Sequence, residues 1–77
     1  MKITVRLFAG LQESLPGRVH QAELEVPAGA SVAEVAAQLR LDQSKAKLVM
    51  VNGRQADLAT RLAPGDLLAV FPPIGGG

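Results

Sequence analysis

With 77 residues, 48% of them hydrophobic and Phe8 and Phe71 the only aromatics, the chain has room for one domain, 1–77, with an aliphatic core. A domain of this size buries only about 60% of its unfolded surface, which excludes a deep substrate pocket. Eight basic and seven acidic residues leave a net charge of +1 with no run of either sign, so neither nucleic acid nor a membrane surface is an expected partner.

The opening Ile3, Val5 and Leu7 alternate with Thr4, Arg6 and Phe8, the period-two pattern of a strand with one buried face, and Phe8 falls opposite the aliphatics. No positively charged, apolar leader precedes this strand, and no apolar stretch anywhere approaches about 18 residues. A secretory signal and a membrane span are therefore not expected, and the expected location is cytoplasmic. Leu11 and Leu15 flank a short polar segment, and Pro16-Gly17 marks a turn before a second alternating run in which Ala22, Leu24 and Val26 share a side. The two runs suit an antiparallel hairpin. His20 is the only histidine and lacks a second histidine for a metal site or catalytic pair, so a structural role is expected for it. The absence of cysteine excludes disulfides, a thiol nucleophile and thiolate metal ligands.

Pro27-Ala28-Gly29-Ala30 breaks the second strand, and Ser31-Val32-Ala33-Glu34 is a capping-box sequence, in which the serine and glutamate side chains can each satisfy a backbone N–H at a helix start. Val32, Val35, Ala36 and Leu39 then recur at i, i+3, i+4, i+7, one stripe to lay against a sheet. Leu48-Val49-Met50-Val51 is continuously apolar, which predicts a central strand covered on both faces, or on one face with an interface on the other. It ends at Asn52-Gly53, a pair that tolerates the positive φ angles of a type I′ turn, so Arg54-Gln55-Ala56 begins a short return strand. After a local excursion from Asp57 to Leu62, Ala63-Pro64-Gly65-Asp66 suits a type II turn and Leu67 to Phe71 makes the last strand.

The chain then runs through Phe71-Pro72-Pro73-Ile74 to Gly75-Gly76-Gly77. At average glycine usage, three in a row at that place would arise by chance in roughly three chains per ten thousand, so the placement asks for a reason. A glycine tail can thread a channel that any side chain would block, and its backbone can approach another protein's reactive groups closely. The prolines fix φ near −65° and hold the glycines out along an extended path. From Pro72 to Gly77 the reach is at most about 20 Å. Function is expected at the main-chain carboxylate of Gly77.

The elements order as strand, strand, helix, strand, short strand, strand, which predicts an α+β fold of the ubiquitin-like β-grasp kind, a mixed sheet gripping one main helix, with 71–77 as an extended tail. Leu7-Phe8-Ala9-Gly10-Leu11-Gln12-Glu13, the Val51-Asn52-Gly53 turn, the Pro64-Gly65-Asp66 turn and above all Phe71-Pro72-Pro73-Ile74-Gly75-Gly76-Gly77 resemble the sulfur-carrier family that includes MoaD and ThiS. The likeness spans the whole chain and is nearest to the MoaD branch through the diproline.

The resemblance implies a carrier with no acid or base of its own and no cofactor bound by this chain. A MoeB-like adenylating enzyme would use ATP to activate Gly77, because a carboxylate is a poor electrophile. A sulfur donor protein would then replace AMP to leave a thiocarboxylate. A MoaE-like large synthase subunit would receive the tail, and sulfur would pass to a pterin precursor of molybdopterin. The residues marked by the motif are Gly77 and Gly76 at the reacting end, and Gly75, Ile74, Pro73, Pro72, Phe71 and Phe8 for threading and docking. A carrier for thiamine or another thiolation pathway, a ubiquitin-like protein modifier, and a β-grasp interaction module with an incidental tail are the alternatives.

Phe8 and Phe71 are read either as core or as neighbours on the face away from the helix, where Pro72, Pro73 and Ile74 would extend an apolar docking patch. Met50 is open in the same way. Arg6, Arg54 and Arg61 can serve as surface cations or pair with acidic groups of a partner.

Overall fold

The computed structural model describes residues 1–8 and 20–72. The expected features at Leu11, Leu15 and Pro16-Gly17, and the tail positions Pro73, Ile74, Gly75, Gly76 and Gly77, lie outside the described residues. Among the described residues the elements are β1 (Lys2–Leu7), β2 (Gln21–Glu25), α1 (Val32–Gln38), a 3₁₀ turn (Gln43–Lys45), β3 (Leu48–Val51), β4 (Arg54–Ala56) and β5 (Leu67–Phe71). They form a five-stranded sheet in the order β2-β1-β5-β3-β4. The β1–β5 pair is parallel, while β1–β2, β3–β5 and β3–β4 are antiparallel. This mixed sheet with its helix is the ubiquitin-like β-grasp. No helix among the described residues is long and apolar enough to cross a membrane.

Alternation decides which side of each strand is buried. Ile3, Val5 and Leu7 of β1, Leu68 and Val70 of β5 and Val49 of β3 all turn to one face, where they are at most 4% exposed. Val32, Val35 and Ala36 of α1 join that cluster, as the helical stripe requires, and Leu39 packs against it half-buried. Ala22 and Leu24 pair across from Val5 and Ile3 and flank the same core.

The helix start is held from two sides. Ser31 Oγ accepts from the Glu34 N–H at 3.2 Å, the expected N-cap bond. Glu34 differs from expectation, since its carboxylate accepts from the Ser31 hydroxyl at 3.3 Å rather than from a backbone N–H. The first-turn N–H groups are instead served by the stretch after β4, with Val32 N–H donating to Thr60 O and Ala33 N–H to Leu58 O, both at 2.9 Å. Leu62 N–H returns the link to Ala30 O at 2.8 Å, and Leu62 is buried. The segment from Asp57 to Leu62 therefore grips the helix N-terminus, a role its sequence did not disclose.

Both turns flanking the last strands form as their residues dictate. Asn52 and Gly53 have φ of 52° and 81°, and Gly65 has φ of 82°, the positive value that a type II turn needs at that position. The two turns are joined by Asn52 Nδ2 donating to Asp66 Oδ1 and Leu67 N–H donating to Asn52 Oδ1, each at 2.9 Å.

Candidate functional site

The face of the sheet away from α1 carries the residues that point outward by alternation. On β5 these are Leu67, Ala69 and Phe71, all half-buried, between the buried Leu68 and Val70. The register places Phe71 opposite Leu48 and Ala69 opposite Met50. On the other side Ala69 pairs with Arg6. Phe8, one residue beyond β1, stacks on Phe71 with ring centroids 4.5 Å apart and planes within 3°. Phe8, Phe71 and Leu48 thus make one row, and Ala69 and Met50 lie beside them in the next.

Both phenylalanines are half-buried and lie outside the buried cluster, which decides between core and surface patch in favour of the surface. Leu48 is the one large hydrophobic among the described residues that counts as exposed, at 39%. It was not singled out from the sequence; the signal was the unbroken apolar run in β3, where strict alternation would have put a polar residue on the open side. Val49 and Val51 pack toward the core while Leu48 is exposed, so β3 is covered on one face and not on both.

The last strand ends at Phe71 for a structural reason. Lys47 N–H donates to Phe71 O at 2.9 Å, the last rung of the β3–β5 ladder. Pro72 has no N–H to continue it. Pro72 is half-buried. Among the tail residues marked from the sequence, Phe71 is thus brought together with Phe8, Pro72 follows it directly, and the positions from Pro73 to Gly77 lie outside the described residues.

The three arginines differ in their surroundings within the chain. Arg61 Nη1 donates to Gly29 O at 2.9 Å, and Arg6 Nε donates to Gln21 Oε1, so each bonds within its own chain. Arg54 is exposed on β4. His20 is exposed, and its carbonyl accepts from the Leu7 N–H at 2.9 Å, closing the end of the β1–β2 ladder. Among the described residues no group of three or more histidine, aspartate or glutamate side chains is placed to hold a metal ion. Among the described residues, the outward face of the sheet around Phe8, Phe71 and Leu48 is thus an apolar surface.

Comparisons with known proteins agree with this architecture. The chain is 26% identical to a Pyrococcus furiosus protein assigned as molybdopterin converting factor, subunit 1, covering 95% of this chain and 98% of that one with a TM-score of 0.72. It is 25% identical to small archaeal modifier protein 1 of Haloferax volcanii, with the same 95% and 98% coverage and a TM-score of 0.76. It shares its fold with a chain from the complex of subunits 1 and 2 of the molybdopterin-converting factor of Helicobacter pylori, at 22% identity, full coverage of both chains and a TM-score of 0.63. No curated protein matches the sequence. The sequence profile of the ThiS family matches residues 5–77, and the chain belongs to that family of small sulfur carriers.

Proposed function

We propose that this carrier takes up sulfur at the Gly77 carboxylate and delivers it, docked through the Phe8–Phe71–Leu48 face, to a pterin precursor held by a MoaE-like large subunit. The reading is supported most by one observation: the ladder ends at Phe71 beside an open apolar patch, so a tail leaving at Pro72 starts inside the docking surface. A MoeB-like partner activates Gly77 with ATP. The carboxylate oxygen attacks the α-phosphorus, pyrophosphate leaves, and the acyl-adenylate has AMP as a good leaving group. The persulfide of a donor protein displaces AMP, and thiol cleavage of the S–S bond leaves the thiocarboxylate. Its sulfur is softer and more nucleophilic than the oxygen it replaced. Gly76 and Gly75 let the terminus enter the partner's active site without a clash, and Ile74, Pro73 and Pro72 continue the apolar contact.

The test is the intact mass of the chain recovered from its host, and again after incubation with ATP, an activating enzyme and a sulfur donor. Sulfur in place of one oxygen at Gly77 is the expected result. A carboxylate that stays unmodified with all three supplied would sink the proposal. Deleting Gly76-Gly77 should abolish sulfur transfer while the fold persists.

The likeness to a small archaeal modifier protein favours a second reading, in which the activated Gly77 acylates lysines of other proteins. No lysine or arginine follows Arg61. Trypsin would therefore leave the whole Leu62–Gly77 segment on a modified lysine. Finding that remnant supports conjugation, and a chain recovered only free or in a tight heteromer opposes it.

A further inference from the structure

Asn52-Gly53 pairs an amide side chain with a following backbone nitrogen that no Cβ shields, the arrangement in which asparagine loses ammonia most readily. Both residues are exposed, and a Cβ built on Gly53 would meet nothing within 4 Å, so the turn leaves open space on that side of the glycine. What restrains the amide is a clamp. Its Nδ2 donates to Asp66 Oδ1 and its Oδ1 accepts from Leu67 N–H, both at 2.9 Å, while Asn52 N–H donates to Leu67 O at the same distance. Asp66 is itself held, with Oδ2 accepting from Ala63 N–H at 2.8 Å and its carbonyl accepting from Thr4 N–H at 2.9 Å.

We propose that Asn52 is a deamidation site whose rate is governed by the Asp66–Leu67 clamp. In the reaction the deprotonated Gly53 nitrogen attacks Asn52 Cγ, the new C–N bond closes a succinimide, and the Cγ–Nδ2 bond breaks to release ammonia. Water then opens the ring at either carbonyl to give aspartate or isoaspartate at position 52. Nothing is oxidised or reduced; one water enters and one ammonia leaves. Ring closure requires Cγ to swing over the Gly53 nitrogen, and because both ends of the amide are tied to residues 66 and 67, that swing must break both bonds. The product has no amide N–H to offer Asp66 and sets a second carboxylate against it. Deamidation therefore uncouples the β3–β4 turn from the turn that starts β5.

The experiment follows the deamidated fraction by peptide mass mapping over days at mildly alkaline pH, for wild type, Asp66→Ala and Asp66→Asn. Each is measured folded and in urea, with circular dichroism confirming the state. Folded wild type should react more slowly than the urea-unfolded chain. Folded Asp66→Ala should react roughly fivefold faster than folded wild type, the factor for one surface hydrogen bond. All three should agree in urea. Asp66→Asn keeps an acceptor without the charge and should fall between, which also provides a folded comparison if the alanine variant melts. Equal rates for wild type folded and unfolded, or for wild type and a folded Asp66 variant, would overturn the proposal. As a check on the product, Asn52→Asp should melt at a lower temperature than wild type; an unchanged melt would refute the uncoupling.

Discussion

Phe8 and Phe71 stack at 4.5 Å although one follows β1 and the other ends β5, so a single aromatic contact joins the two points at which the chain leaves the sheet. Parallel pairing of β1 with β5 makes this possible, since Leu7 opposite Val70 sets Phe8 beside Phe71. Stacked pairs contribute roughly 0.5–1.5 kcal/mol beyond the area they bury. A double-mutant cycle with Phe8→Ala and Phe71→Ala, read by urea unfolding, should give a coupling energy of about 1 kcal/mol. Strictly additive losses would mean that each ring packs independently.

Leu48 separates docking from folding more cleanly than either phenylalanine does. At 39% exposed it adds little to the core, and it sits opposite Phe71 at the β3 end of the open row. Leu48→Glu should leave the thermal midpoint nearly unchanged, yet weaken binding to a MoaE-like subunit more than tenfold, as for a charge placed in an apolar interface. Calorimetric titration of wild type and Leu48→Glu against that subunit provides the measurement. Equal affinity would move the docking surface elsewhere.

How far these residues could be foreseen depended on whether their signal was local. β1, α1, β3 and β5 were legible because alternation at Ile3-Val5-Leu7, helical spacing at Val32-Val35-Ala36 and the turn pairs Asn52-Gly53 and Pro64-Gly65 each act within a few residues. The grip of Leu58 and Thr60 on the helix N-terminus was illegible, because those carbonyls carry no side-chain signature and meet Val32 and Ala33 only after the sheet closes. The open face was half legible. Phe8 and Phe71 could be placed on it by alternation, but whether aromatics in so small a domain are covered depends on what packs there, and periodicity is silent on that. Leu48 was hidden because an apolar run reads the same whether its second face meets a helix or a partner.

Arg40 shows a helix end that the sequence concealed. It has φ of 57°, left-handed, in the position glycine commonly takes after a helix. Arg40 N–H donates to Ala37 O at 3.0 Å and Leu41 N–H to Ala36 O at 2.8 Å, the paired bonds of a Schellman motif, with Leu41 and Ala36 both buried. The left-handed conformation costs an L-residue about 1–2 kcal/mol. Glycine removes that cost, while its freer unfolded chain gives back about 0.4–1 kcal/mol. Arg40→Gly should therefore raise stability by up to about 1 kcal/mol, and Arg40→Val should lower it. Urea midpoints in the opposite order would mean that the arginine side chain contributes a contact outweighing the backbone strain.

Asp42 gives the fold a pH-dependent element just beyond that helix end. Its Oδ1 accepts from the Ser44 hydroxyl at 2.7 Å and from the Ser44 N–H at 3.0 Å, capping the 3₁₀ turn. The hydroxyl bond first and the backbone bond second hold the carboxyl below its ordinary value of 3.8, against an opposing effect of desolvation that outranks the added help of the Lys45 charge. A carboxyl depressed in the folded state binds its proton more readily unfolded. Its stabilising contribution is therefore complete above the unfolded value and is lost as pH falls through the folded one. Asp42→Asn retains an acceptor for Ser44 without a proton to titrate. Urea midpoints of the two proteins should accordingly differ at pH 6 and converge on acidification through roughly pH 4 and below. Ser44→Ala, which removes the largest cause of the shift, should flatten the same acid slope. If wild type and Asp42→Asn instead stay a constant distance apart from neutral to acid pH, the cap acts through geometry alone and the carboxylate charge plays no part in it.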